Sequence, residues 1–215
     1  MGASPSEILN QPLFALPMPV AAINLCFCSP TTTTLHLREK AWSLSDDFTI
    51  RDVHSGQLYF RIEGSAISMT DRKVLLDIYD QPIVHMRDDF FSFAPSIKVS
   101  SDYDSNNVLF RIKAKDKAID MVLECKFRNV GTGRECRVGL YGDWRARAAV
   151  IWLDHGNGQK LPVARIYRPT ATDRNVYLGA QDYYLDIAPN VDMALMVVIC
   201  IALDAARKDK EEDYE

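Results

Sequence analysis

At 215 residues, 47% hydrophobic and 25% charged, the chain has the make-up of a folded globular protein and not of a low-complexity or disordered polymer. Its formal net charge is −4. The last stretch, 204–215, holds six acids and three bases, so the remaining body is near −1 and lacks the basic excess of a general nucleic-acid binder. Five cysteines at 26, 28, 125, 136 and 200 follow no repeating spacing, and no Asn-x-Ser/Thr acceptor occurs. The first basic residue is Arg38, which does not fit the basic start of a secretory signal. These features predict a reducing, intracellular setting.

Residues 1–30 read as an extended, poorly ordered arm, because Pro5, Pro12, Pro17, Pro19 and Pro30 break every candidate helix. Leu13 to Leu16 and Val20 to Ile23 make it more apolar than a free tail, so it is expected to lie on the folded body or on a partner. Its first six residues, Met1 to Ser6, match the myristoylation pattern M-G-x-x-x-[ST], with Gly2 as the acceptor. A single myristoyl chain binds reversibly, so a second anchor is needed, and palmitoylation of Cys26 and Cys28 would supply it. The bland alternative is a chance match in an arm where Glu7 is unfavourable and the two cysteines simply pack.

From about residue 33 onward short strand signals follow closely. Phe48–Val53 and Gln57–Ile62 flank His54-Ser55-Gly56, a hairpin turn. Lys73–Tyr79 and Ile83–Met86 flank Asp80-Gln81-Pro82. Further candidates are 90–100, 107–115, 119–128, 134–141, 144–153, 161–168 and 175–187, with a turn at Asp154–Gly158. Phe91 and Phe93 share a face and are expected to pack inward. Last comes Met193–Leu203, eleven apolar residues bounded by Asp192 and Asp204. That is short of the ~20 residues of a bilayer span, and it has no polar face, so it predicts a helix surrounded on every side. Asn190 is the expected N-cap, and Asp192 falls in the first turn.

About a dozen strands and one apolar helix predict a mainly β fold: a closed antiparallel barrel around a buried hydrophobic C-terminal α-helix. The predicted organisation is an arm at 1–30, a barrel over 31–208 with its central helix at 190–208, and an acidic tail at 209–215.

Arg111, Lys113, Lys115 and Lys117 alternate along one strand, which places all four on one face. Such a ridge suits a multivalent anion, such as the headgroup of an anionic phospholipid. Lys126 with Arg128, and Arg145 with Arg147, repeat the pattern in shorter form. The bland alternative is a solvated outer face whose lysines discourage edge aggregation. The four histidines (36, 54, 85, 155) are scattered, no C-x-x-C occurs, and Gly131-Thr132-Gly133-Arg134 lacks the lysine of a phosphate loop. No catalytic motif, metal site or cofactor is predicted.

The hairpin block reads Phe48-x-Ile50-x-Asp52-x-x-x-Gly56-x-x-x-Phe60-x-Ile62-x-Gly64, followed by Leu76, Asp77, Asp80, Pro82 and Ile83. With the Asp182–Met196 segment that leads into the apolar helix, it resembles the LURP-one-related family over about 35–207. One departure is Asp80, where that family more often has glycine. The resemblance implies a tubby-C-terminal-like barrel, shared with tubby proteins and phospholipid scramblases, and no enzyme. It implies a binding or signalling role with phosphoinositide or membrane-surface contact and a link to defence responses. A scramblase-like lipid handler, or a soluble protein-interaction or transcription-linked module with an unknown protein partner, stays open as an alternative.

Overall fold

The computed structural model describes residues 10–39, 47–64, 72–89, 96–116, 121–143, 148–167 and 182–212. Among them are twelve strands: β1 (Thr33–Glu39), β2 (Phe48–Asp52), β3 (Leu58–Gly64), β4 (Arg72–Leu76), β5 (Pro82–Asp88), β6 (Ser96–Ser100), β7 (Val108–Asp116), β8 (Met121–Arg128), β9 (Glu135–Asp143), β10 (Ala148–Asp154), β11 (Leu161–Tyr167) and β12 (Tyr183–Ile187). Each strand pairs with the next, and β1 pairs antiparallel with β12, so the sheet closes into a barrel with no free edge. The expected positions Phe91, Phe93, Arg145 and Arg147 lie outside the described residues.

Period-two alternation sets the inner face. Leu35 and Leu37, Phe48 and Ile50, Phe60 and Ile62, Val84 and Met86, and Phe110 and Ile112 all point inward and are buried. Twelve strands ~4.8 Å apart, tilted by ~40°, close on a radius of ~12 Å. A helix ~10–12 Å across fills that lumen together with the inward side chains. The helix α1 (Met193–Glu212) occupies it, and every residue from Met193 to Leu203 is buried.

Because neighbouring strands alternate in direction, the connections after β2, β4, β6, β8, β10 and β12 all lie at one end. Helix α1 starts at that end. Its N-cap is Asp192 and not Asn190: the Leu195 amide donates to Asp192 Oδ1 at 3.1 Å, and the Met196 amide to the Asp192 carbonyl at 3.2 Å. Asn190 instead sits two residues earlier with φ +65, its side chain donating to the Leu16 carbonyl at 2.7 Å. Three residues before the first helical position, its backbone is turning and cannot cap.

Residues 10–30 lie across this end of the barrel. Leu16, Val20, Ala21 and Ala22 are buried in the core. The arm is tied by backbone bonds from Phe14 to Pro162, Leu16 to Pro189, Val20 to Asn190, and back from Val130 to Ala21. Within it lies a single 3-10 turn, Leu25–Phe27, capped by Asn24.

Strand β10 is buried on both faces. Trp152 points outward and lies flat over Gly139 of β9, its directly paired residue. Only a glycine admits the ring, since a Cβ there would be 2.2 Å from Trp152 Cζ2. Lys160 closes over the indole from above, 4.1 Å from the ring centre.

Candidate functional site

The outer face of β4 to β9 carries the candidate site. Phe110 and Ile112 point inward, so Arg111 and Lys113 point outward, and both are exposed. Lys117 and the Lys115 side chain lie outside what is described, as does Gly2. The register adds what spacing along one strand does not show. Arg72 pairs with Arg87, Arg87 with Lys98, Lys98 with Arg111, Arg111 with Lys126, and Lys126 with Arg137. Six cations therefore stand in one row across six neighbouring strands.

Like charges directly opposite one another destabilise a sheet by ~0.2–1 kcal/mol per pair. Some of that repulsion is relieved locally. Arg111 Nε lies 3.2 Å from Asp89, Lys126 Nζ lies 3.5 Å from Glu135, and Arg72 stacks over the Tyr103 ring at 4.7 Å. Tyr103 meets His85 edge-on at 5.9 Å, and burial, more than the facing Arg72, holds that imidazole's pKa below its usual value against the pull of Asp102. His85 is accordingly a packed surface histidine.

Between β7, β8 and β9 the row borders a cleft of about 670 Å³. Among the described residues, Arg111, Lys113, Lys126 and Arg137 supply its cations, Glu124 an acid, and Val108 and Leu109 an apolar portion of the lining. Lys113 and Glu124 are directly opposed across the strands. Its charge and shape are those suited to a multiply charged anion carrying an apolar portion. Among the described residues, its lining pairs no nucleophile with a base.

A second cluster lies on the opposite side of the outer face. Asp186 accepts from Arg165 Nε at 2.8 Å and Thr34 Oγ at 2.8 Å, while Tyr167 lies 3.4 Å away. His36 reaches Asp182 at 3.3 Å and stacks on Tyr184. Burial first, then Asp186, pushes the Tyr167 phenol up to about 12, so it stays a neutral donor. These bonds join β11, β12 and β1 where the barrel closes, and their role is structural.

The two arm cysteines differ. Cys26 is exposed on the 3-10 turn, whereas Cys28 is half-buried with Sγ 3.9 Å from the Val20 carbonyl. Burial, then Asp192, then Cys26 push the Cys28 thiol up to about 12. Asp192 is also buried at this end. Its Oδ2 accepts from the amides of Ala22, Ile23 and Asn24 at 3.2, 2.9 and 3.4 Å. Desolvation nevertheless outweighs those donors and pushes its pKa up to about 6.

Among the described residues no group of three or more His, Cys, Asp or Glu could hold a metal ion, and no helix is long and apolar enough to cross a membrane. Reasoning along single strands missed Arg72, Arg87, Lys98 and Arg137, because their alignment exists only once the strands pair.

Comparison with known proteins agrees with this architecture. The family described as LURP-one-related matches residues 33–204. Protein LURP-one-related 10 of Arabidopsis thaliana is 25% identical over 199 residues, covering 90% of this chain and 100% of that protein. Protein LURP-one-related 15 of the same plant is 25% identical over 187 residues, covering 85% of this chain and 84% of the relative. An X-ray structure of an Arabidopsis thaliana protein superposes with a TM-score of 0.61 at 21% identity, over 87% of this chain and 98% of that one. At that identity the likeness establishes the fold.

Proposed function

Because this chain belongs to the LURP-one-related family, whose barrel here presents a row of cations, we propose that it is a non-enzymatic binding barrel that docks on anionic phospholipid headgroups, phosphoinositides among them. The cross-strand row converging on the β7–β9 cleft carries the reading. Arg111, Lys113, Lys126 and Arg137 are the contacts, and Lys115 and Lys117 extend the ridge. Acylation at Gly2, Cys26 or Cys28 would add an anchor and hold the protein at the cytoplasmic face of the plasma membrane. The scramblase-like alternative requires α1 to enter a bilayer, and its burial from Met193 to Leu203 with a capped, buried Asp192 weighs against that.

The test is co-sedimentation of unacylated protein with phosphatidylcholine vesicles, with and without phosphatidylinositol bisphosphate, at about 0.1 M and about 1 M salt. Each cation near an anionic surface is worth ~1 kcal/mol. The variant Arg111→Gln/Lys113→Gln/Lys126→Gln/Arg137→Gln is therefore expected to bind roughly a hundredfold more weakly, after discounting the cations that Asp89 and Glu135 already engage. Equal binding by wild type and variant, or no binding at low salt, would refute the proposal.

A further inference from the structure

The row spans six of twelve strands, half the girth of the barrel, so a flat surface cannot meet all of it at once. One end coincides with a second feature. The β8–β9 hairpin, at Asn129–Arg134, has Val130 at its tip, 55% exposed, and beside it stands Leu25 of the 3-10 turn, 41% exposed. The two segments form one unit. The Val130 amide donates to the Ala21 carbonyl at 2.9 Å, and Leu25 packs against Gly131, where a Cβ would be 3.3 Å from its Cδ2. The buried Asn129 carboxamide oxygen accepts from Gly131 at 3.0 Å and from Ala21 at 3.4 Å. Gly133, at φ +70, completes the turn with its amide on the Asn129 carbonyl at 2.7 Å.

Exposed cations of the hairpin lie on the Val130 side of this apolar pair: Arg128 and Arg134 flank the tip, and Lys126 and Arg137 face one another further along the strands. Glu135 is the nearby exposed acid, engaged with Lys126. An apolar point beside a cluster of cations is complementary to the surface of an anionic bilayer, with phosphates above and hydrocarbon below. Its rigidity means that little ordering entropy is lost on insertion.

We infer that the β8–β9 hairpin and the 3-10 turn form a membrane-insertion tip, with Val130 and Leu25 entering the lipid while Lys126, Arg128, Arg134 and Arg137 hold the headgroups. This rests on the headgroup-binding reading above. It further assigns the barrel's orientation: the β8–β9 side of the end where α1 begins faces the membrane, while the loops after β4 and β6, which carry the exposed acids Asp80 and Asp104, tilt away from it.

The experiment uses the full, unacylated chain and the same phosphatidylinositol bisphosphate vesicles. Val130→Trp is read by fluorescence against wild type, and Leu25→Ser/Val130→Ser by co-sedimentation. Both positions are exposed, and circular dichroism melts confirm that the variants fold. Vesicles are expected to shift the Val130→Trp emission to shorter wavelength. The double serine variant is expected to partition roughly tenfold more weakly, while its remaining binding stays salt-sensitive. If wild type binds and loses binding in the four-glutamine variant, but Val130→Trp shows no shift and the serine variant binds like wild type, the tip is overturned and headgroup binding stands. If wild type binds no vesicle at low salt, both readings are overturned.

Discussion

Replacing Asp192 with alanine removes the group on which helix, barrel and arm converge. The carboxylate is fully buried; one oxygen caps α1 through the Leu195 amide, and the other gathers the amides of Ala22, Ile23 and Asn24. The amides of Leu195 and Ala22 belong to buried residues and lose their acceptor, at ~1–3 kcal/mol each, whereas Asn24 is exposed and its amide can turn to water. Removing a charge that burial already disfavours returns part of this. The net loss expected at neutral pH is ~2–4 kcal/mol, a large share of the ~5–15 kcal/mol that holds a domain together. Urea unfolding measures the loss. Limited proteolysis locates it, because the arm between residues 16 and 30 becomes cleavable before the barrel does. A change below ~1 kcal/mol, or an arm as protected as in wild type, would refute the idea that this carboxylate is the latch. Asp192→Asn keeps one acceptor oxygen and should fall between the two.

The same residue predicts a pH dependence. Its pKa is raised from 3.8 to about 6 in the folded protein, so between those values the native carboxyl keeps a proton that the unfolded chain has released. Raising the pH through that window therefore favours unfolding, by ~3 kcal/mol in total. Carboxylates such as Asp52, held low chiefly by its bond from Ser55, act in the opposite direction. The comparison is accordingly wild type minus Asp192→Asn, measured by urea unfolding at pH 4.5 and 7; a difference that stays constant between the two would contradict the assigned shift. Gly139→Ala places a Cβ 2.2 Å from Trp152 Cζ2 and 3.0 Å from the Leu123 carbonyl, so the buried indole must leave its seat. A loss of ~1–3 kcal/mol is expected, with a change in tryptophan emission. An unchanged melt would show that the ring has room elsewhere.

Much of the architecture is legible in short-range pattern. Leu35 and Leu37, Phe60 and Ile62, and Phe110 and Ile112 alternate with polar neighbours, and that period reports which face of a strand is buried. Asp80 stands in the β4–β5 turn with φ +60, a conformation aspartate tolerates, so its departure from the family's glycine leaves the turn intact. The expected capping residue was displaced by two positions because the chain turns at Asn190 before the helix begins. Arg111 and Lys113 face outward as their spacing requires. The other members of the row could not be read, since nothing local marks Arg72, Arg87 or Arg137 as neighbours of Arg111.

What the sequence by itself determined is everything that depends on local period and on hydrophobic content: a dozen strands, their inner faces, and an apolar helix that has to be enclosed. What only the tertiary structure decided is register and closure. The cation row exists because the strand pairings bring together residues up to 65 positions apart, from Arg72 to Arg137. The latch exists because closing the barrel brings Asp192 within bonding distance of amides 168 to 170 residues away. Side-chain period is a property of one strand. Which strands meet, and at what offset, is set by the balance of all the turns and of the core at once, and no short window of sequence contains that balance.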